Sequence, residues 1–103
     1  MFCHRLRTVK YIAWDAKKNE RLRIERGISF EDVIEALLGD GLVKTIRHPN
    51  AKKYPHQYIH IIEIKAYTYI VPFIEDKEKY FFKTIIPSRK AAKIYMVSKK
   101  GGI

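Results

Sequence analysis

The chain has 103 residues, 47% of them hydrophobic, with seven Tyr and five Phe; this fits one domain with a single modest core and excludes a disordered chain. Twenty-one Lys and Arg against eleven Asp and Glu give a net charge of +10, which points to an anionic partner such as nucleic acid or an acidic protein. No apolar run approaches the ~20 residues of a membrane span, no secretory signal is evident, and a single cysteine, Cys3, excludes an intrachain disulfide and a multi-cysteine zinc site.

In chain order, TVKYIAW (8–14) alternates and is rich in β-formers, so it predicts a first strand. Asp15 suits a helix N-cap, and DAKKNERLRIER has helical composition ended by Gly27, although its apolar face is thin. Ser29 and Asp32 have the spacing of a capping box. Behind it Phe30, Val33, Ile34, Leu37 and Leu38 form an apolar stripe at helical period, stopped by Gly39 and Gly41. Strands follow over 42–48, 57–65, 67–74 and 80–86, the last three joined by short connections as an antiparallel meander. Pro72 marks a bulge or an outward-facing edge position in that pattern. Ser88 then caps a short helix with Ala91, Ile94 and Tyr95 on its inner side, and residues 98–103 are expected to fray.

The predicted order is β-α-α-β-β-β-β-α, an α+β domain spanning residues 1–103, with an antiparallel sheet and two helices packed on one face. The other face is expected to be open, in part, to a ligand. Charge is segregated along this order. Seven of the eleven acids lie within residues 15–40, whereas residues 41–62 and everything after Glu78 carry cations and no acid. A lysine-rich solvated surface is the plain alternative to a binding face.

Two stretches resemble a known family. WDAKKNERLRIERGISFEDV is similar to the N-terminal signature of the BrnT-type toxins of bacterial type II toxin–antitoxin systems, W-D-x-x-K, then N, then K-H-G-V-S-F-E. Trp14, Asp15, Lys18, Gly27, Ser29, Phe30 and Glu31 match it. TIIPSRKAAKIY resembles the family ending I-I-S-A-R-K-A…Y through Ile85, Arg89, Lys90, Ala91 and Tyr95. The resemblance covers about residues 9–95. It departs at Leu22, where the family has Asn, and at Glu25 and Arg26, where it has Lys-His. The resemblance implies a RelE-like fold and a cytoplasmic endoribonuclease toxin, free or ribosome-associated, neutralised by a cognate antitoxin with an acidic or flexible covering segment.

Metal-independent RNA cleavage needs groups that move protons near neutral pH and cations that stabilise charge on phosphorus. No close His/Asp/Glu cluster reads as a metal site, so no metal or cofactor is expected. Arg89 and Lys90 begin a predicted helix and are the leading anion binders; pairing of Arg89 with Glu75 or Glu63 is the alternative. Lys83, in the last strand, is within reach of the same phosphate or else guards against edge pairing. His48, His56 and His60 are the candidate acid–base groups, with Glu75 or Glu63 as carboxylate; each histidine also has a plain structural use. His60 shares a strand face with Tyr58 and Ile62. The PNAKKYP loop can stack a base on Tyr54 and hold phosphates with Lys52 and Lys53, assisted by Arg47, while Lys93 extends the basic surface around Lys90. Trp14 and Asp15 are read as a strand-to-helix corner. The expected catalytic set is thus Arg89, Lys83, His60 and Glu75. The competing readings are a non-catalytic RNA- or DNA-binding module of the same fold, and an inactive relative serving as an interaction domain.

Overall fold

A computed structural model describes residues 10–96 of the chain. The expected start of the first strand at residues 8–9 and the frayed tail lie outside those residues. β1 (Tyr11–Trp14) leads into α1 (Ala16–Arg26) through Asp15, whose extended backbone and Oδ1, accepting the Lys17 N–H at 2.9 Å, cap the helix. Leu22 is the only buried residue of α1, as its thin apolar face predicts. The helix ends at Gly27 in the left-handed region (φ 68°), with its N–H donating to the Arg23 carbonyl.

The chain then turns inward, and Ile28, Ser29 and Phe30 are all buried. Ser29 forms the predicted capping box of α2 (Phe30–Leu38). Its hydroxyl accepts the Asp32 N–H at 3.2 Å, and Asp32 accepts the Ser29 N–H at 2.9 Å. Asn19 of α1 ties the two helices together, accepting the Phe30 N–H at 2.7 Å and donating to Glu31 at 2.9 Å. A first-turn amide that the helix itself leaves unpaired is thereby satisfied. Trp14 stacks on Phe30 at 5.4 Å, and Phe30 is fully buried, which contributes roughly 2–3 kcal/mol. Residues 14–32 therefore act as a clasp between strand and helices.

Five further strands complete the sheet: β2 (Leu42–Arg47), β3 (Gln57–Ile64), β4 (Tyr67–Glu75), β5 (Lys79–Phe82) and β6 (Ile86–Pro87). Their order is β1-β5-β4-β3-β2, with β6 also paired to β4. The α+β class and the two helices on one face are as expected, but the sheet is mixed, not wholly antiparallel. β1 runs parallel to β5, from Tyr11 opposite Lys79 to Trp14 opposite Phe82. The helical pair carries the chain across the sheet to the far edge, and four successive strands walk it back beside β1.

The expected strand over 80–86 is divided, and Pro72 explains why. Pro72 stands in central β4, paired with Ile59 on one side, so it marks no edge. On the other side the register shifts by one residue across it, from Phe73 opposite Phe82 to Ile70 opposite Ile86, the bulge that was the alternative expectation. On that side its carbonyl accepts the Lys83 N–H at 2.9 Å. With no N–H of its own it cannot return the reciprocal bond, and the ladder breaks there. β5 ends at Phe82, β6 resumes at Ile86, and Ile85 between them is fully buried.

The core lies between the sheet and α1–α2, built from Leu22, Ile28, Phe30 and Val33 against Ile62, Val71, Phe82 and Ile85. The opposite face carries Ile59, Ile61 and Ile70. It is partly covered by a short third helix, α3 (Arg89–Ala91), which continues as a single π-turn over Ala92–Met96. Ser88 caps α3 as predicted, accepting the Ala91 N–H at 3.0 Å, and anchors it by donating its own N–H to Thr68. Ala91 is buried and Tyr95 half-buried, but Ile94, expected on the inner side, is 51% exposed.

Candidate nucleic-acid interface

α1 and α2 cover only one end of their face of the sheet. Toward the other end lies an open cleft of about 450 Å³. Strand alternation places Tyr58 and His60 of β3, Phe73 and Glu75 of β4, and Tyr80 of β5 on its floor and walls. The roomier open surface therefore lies on the helix-bearing face, whereas the expectation looked to the reverse face, which keeps a smaller hollow of about 180 Å³. The reason is α3, which docks on the reverse face while two short helices leave their own face incompletely covered.

His60 is the centre of this cleft. Its ring stacks on Phe73 at 4.3 Å, and Phe82 meets it edge-on at 6.1 Å. Thr45 of β2 is its cross-strand partner, with Oγ1 2.7 Å from Nδ1. Burial among these rings disfavours the charged imidazolium and lowers the pKa from 6.5 to about 4. His60 is therefore neutral at pH 7. Such a group accepts a proton or a hydrogen bond, but it is not a standing general acid.

Glu75 sits at the rim, its Oε2 2.5 Å from the ammonium of Lys10. That hydrogen bond raises the Lys10 pKa, and the same ammonium lies 5.3 Å over the Tyr80 ring. Beyond Glu75 a second hollow of about 470 Å³ is bordered by Lys10, His56 and Lys77. Tyr58 and Glu75 belong to both hollows, so together they form one groove.

The PNAKKYP loop leads into His56, which borders the second hollow. The fold of the loop is local: Asn50 donates its N–H to His48 Nδ1 at 2.9 Å, and its side chain accepts the Lys53 N–H. Tyr54 packs on His48 at 4.6 Å, with the Lys53 ammonium 5.5 Å over its ring. Tyr54 is consequently half-buried in the loop and not a free platform. Arg47 reaches back to the groove, its guanidinium 5.8 Å over Tyr58, and also donates to the Pro55 carbonyl at 3.3 Å. Lys52, Lys53 and His56 are exposed.

The expected catalytic set is split by the sheet. His60 and Glu75 share the cleft. Lys83 lies on the opposite face, its ammonium 3.5 Å from Gln57. Arg89 begins α3 beside Thr68, and Thr68 and Glu75 stand seven residues apart on β4, about 23 Å at the rise of a strand. Arg89 is exposed and has no ion pair among the described residues; Glu75 pairs with Lys10 instead. Lys90 on α3 and Lys93 on the π-turn that continues it are exposed, and Lys44 lies over Tyr95 of that turn at 5.8 Å. The cations thus form two surfaces, one at the groove and one around α3.

Sequence reasoning missed Lys10, Thr45 and Tyr80. Tyr80 alternates with Phe82, a signal that could have placed it on the face of His60 once β5 was paired. Thr45 and Lys10 depend on cross-strand register, which the sequence does not display. The departures from the toxin signature have structural uses here: Leu22 is 3% exposed in the core, and Arg26 donates to the Ile85 carbonyl at 2.8 Å. No group of three metal-ligating side chains occurs among the described residues. No helix among them is long and apolar enough to cross a membrane. Comparison with protein-family models, with curated proteins and with solved structures finds no match.

Proposed function

We propose that the protein is an RNA-cleaving toxin of the BrnT kind, RelE-like in fold, acting in the cytoplasm and restrained by an antitoxin. The observation that carries this reading is the groove, in which a neutral imidazole and a carboxylate share an aromatic cleft with Lys10 and Arg47 at its edges. Two helices inserted between a first strand and a meander support the fold assignment.

In the reaction this requires, the 2′ oxygen of a ribose bonds to the adjacent phosphorus while the P–O5′ bond breaks. The 2′-OH proton passes to a base, and the departing 5′ oxygen takes a proton from solvent, leaving a 2′,3′-cyclic phosphate. In the tautomer whose Nδ1–H donates to Thr45, neutral His60 presents a bare ring nitrogen and is the base at the cleft floor, and Glu75 is the alternative at its rim. Lys10 and Arg47 supply positive charge to the phosphorane. Arg89, Lys90 and Lys93, on the reverse face, are then the surface offered to an acidic antitoxin segment, an interaction that salt weakens.

A second reading has its own support. With His60 so weakly basic and Glu75 tied to Lys10, the groove also suits RNA binding without cleavage. Inducible expression in bacteria, following growth and transcript integrity, separates the two. Arrest with fragmented transcripts, relieved by His60→Gln or Glu75→Gln, supports the nuclease. Arrest with intact transcripts favours the binding module, and no arrest with no RNA affinity in vitro removes both.

A further inference from the structure

We infer that the cleft around His60 is a pocket for one purine base of single-stranded RNA, recognised through its exocyclic amino group. This rests on the second reading above, RNA held without cleavage, and adds which part of the RNA enters the cleft; His60 and Glu75 then read the base and do not carry the protons of a cleavage reaction.

Three features of the cleft select this occupant. Its walls are flat and aromatic: Tyr58 stacks with Phe73 at 5.6 Å, and Tyr80 meets Phe73 edge-on at 5.8 Å. Every base offers such walls a π-face, and the larger purine ring gains more from them. The polar groups inside carry no positive charge, and two of them accept: the Glu75 carboxylate, and His60 in the tautomer whose Nδ1–H donates to Thr45. Thr45 occupies Nδ1 of His60, and no buried side-chain nitrogen or oxygen among the described residues lacks a partner, so the remaining ring nitrogen is open to the cleft. Lys10 engages Oε2 of Glu75, leaving Oε1 without a partner among the described residues. A phosphate buried here would meet a neutral imidazole and a carboxylate, whereas an amino group meets an acceptor. Finally, the positive charge stands at the mouth, where Arg47 over Tyr58 and Lys10 over Tyr80 can hold the phosphates flanking an inserted base. The chain's charge of +10 suits the remaining backbone.

The test is binding of the full chain to fluorescently labelled eight-nucleotide RNAs, read by anisotropy at low salt. Oligo(A) is expected to bind about tenfold more tightly than oligo(U), the scale of one well-stacked base. Replacing the adenines with purine riboside, which lacks the 6-amino group, should remove most of that preference, and this probe is independent of any variant's folding. Glu75→Ala should narrow the gap between oligo(A) and purine-riboside RNA, whereas Lys52→Ala with Lys53→Ala should weaken all three RNAs alike. Equal affinity for oligo(A) and oligo(U) overturns the pocket while leaving RNA as the partner. Binding of none of the three overturns both.

Discussion

Thr45 and His60 face each other across β2 and β3, and the threonine hydroxyl holds Nδ1 of the imidazole at 2.7 Å. The pair fixes the ring flat against Phe73 with its other nitrogen toward the cleft. Burial of that ring has a consequence for stability. An unfolded histidine titrates near 6.5, while folded His60 resists protonation until about 4. As pH falls through that window the unfolded chain gains a proton that the folded chain does not, so stability is full above about 6.5 and lost progressively toward 4.

Discounted for the ring's partial exposure, the loss is about 2 kcal/mol. Urea denaturation at pH 7 and pH 4.5 should show wild type losing that much more than His60→Gln, the variant serving to subtract the carboxylates that titrate in the same range. Parallel losses in the two proteins would falsify the assignment.

Leu22 stands where the toxin signature carries Asn, and it is almost wholly buried. Leu22→Asn should cost about 2–4 kcal/mol, by removing apolar volume and placing an amide among Ile28, Phe30 and Val33. A thermal scan checks this. An unchanged Tm would mean that the amide finds a partner after local repacking.

The two-residue turn between β3 and β4 is made by Lys65 (φ 52°) and Ala66 (φ 70°), both left-handed. Asn-Gly is the pair that such a turn favours, and neither residue here is a glycine. Lys65→Asn with Ala66→Gly should therefore stabilise the protein, by about 1–2 kcal/mol, relieving a strained backbone at an exposed site. The midpoint of urea unfolding should rise with an unchanged slope; a fall would show that the turn gains from Lys65 or Ala66 in some other way.

Two glycines should fail for different reasons. At Gly27 (φ 68°) an added Cβ meets no atom within 4 Å, so Gly27→Ala costs only backbone strain, about 1 kcal/mol, and Gly27→Asn less. Gly41 has no such conformation, yet a Cβ there would lie 2.8 Å from Ala36 Cβ and 2.9 Å from the Glu63 carbonyl. Gly41→Ala should cost about 1–3 kcal/mol, and Gly41→Asn no less. Thermal midpoints of the four variants give the comparison, and a Gly41→Asn protein more stable than Gly41→Ala would undo it.

What the sequence displayed and what it concealed follow a single division. Asp15, Gly27, Ser29 with Asp32, and Ser88 act within a turn of their own positions, and each does in the structure what its spacing predicts. Alternation also placed His60 with Tyr58 and Ile62 on one strand face. Pro72 signalled a bulge, but that it would divide the partner strand after Phe82 was invisible, because Pro72 and Lys83 become neighbours only when β4 and β5 pair. The separation of Arg89 and Lys83 from His60 and Glu75 was hidden for the same reason. Strand parity tells which residues share a face of one strand, but not on which side of the sheet a later helix will dock.

The parallel pairing of β1 with β5 also orders events during synthesis. Tyr11–Trp14 emerge from the ribosome early, yet among the described residues their one strand partner is Lys79–Phe82, far along the chain. Until that segment appears, Trp14 can stack on Phe30 but β1 has no ladder to join. Closure of so long a loop for so few hydrogen bonds makes β1–β5 zippering a late step, behind local helices and the β3–β4 hairpin. A nascent chain halted before Lys79 would therefore expose β1 as an unpaired edge, the form of this protein most open to proteases and to aggregation.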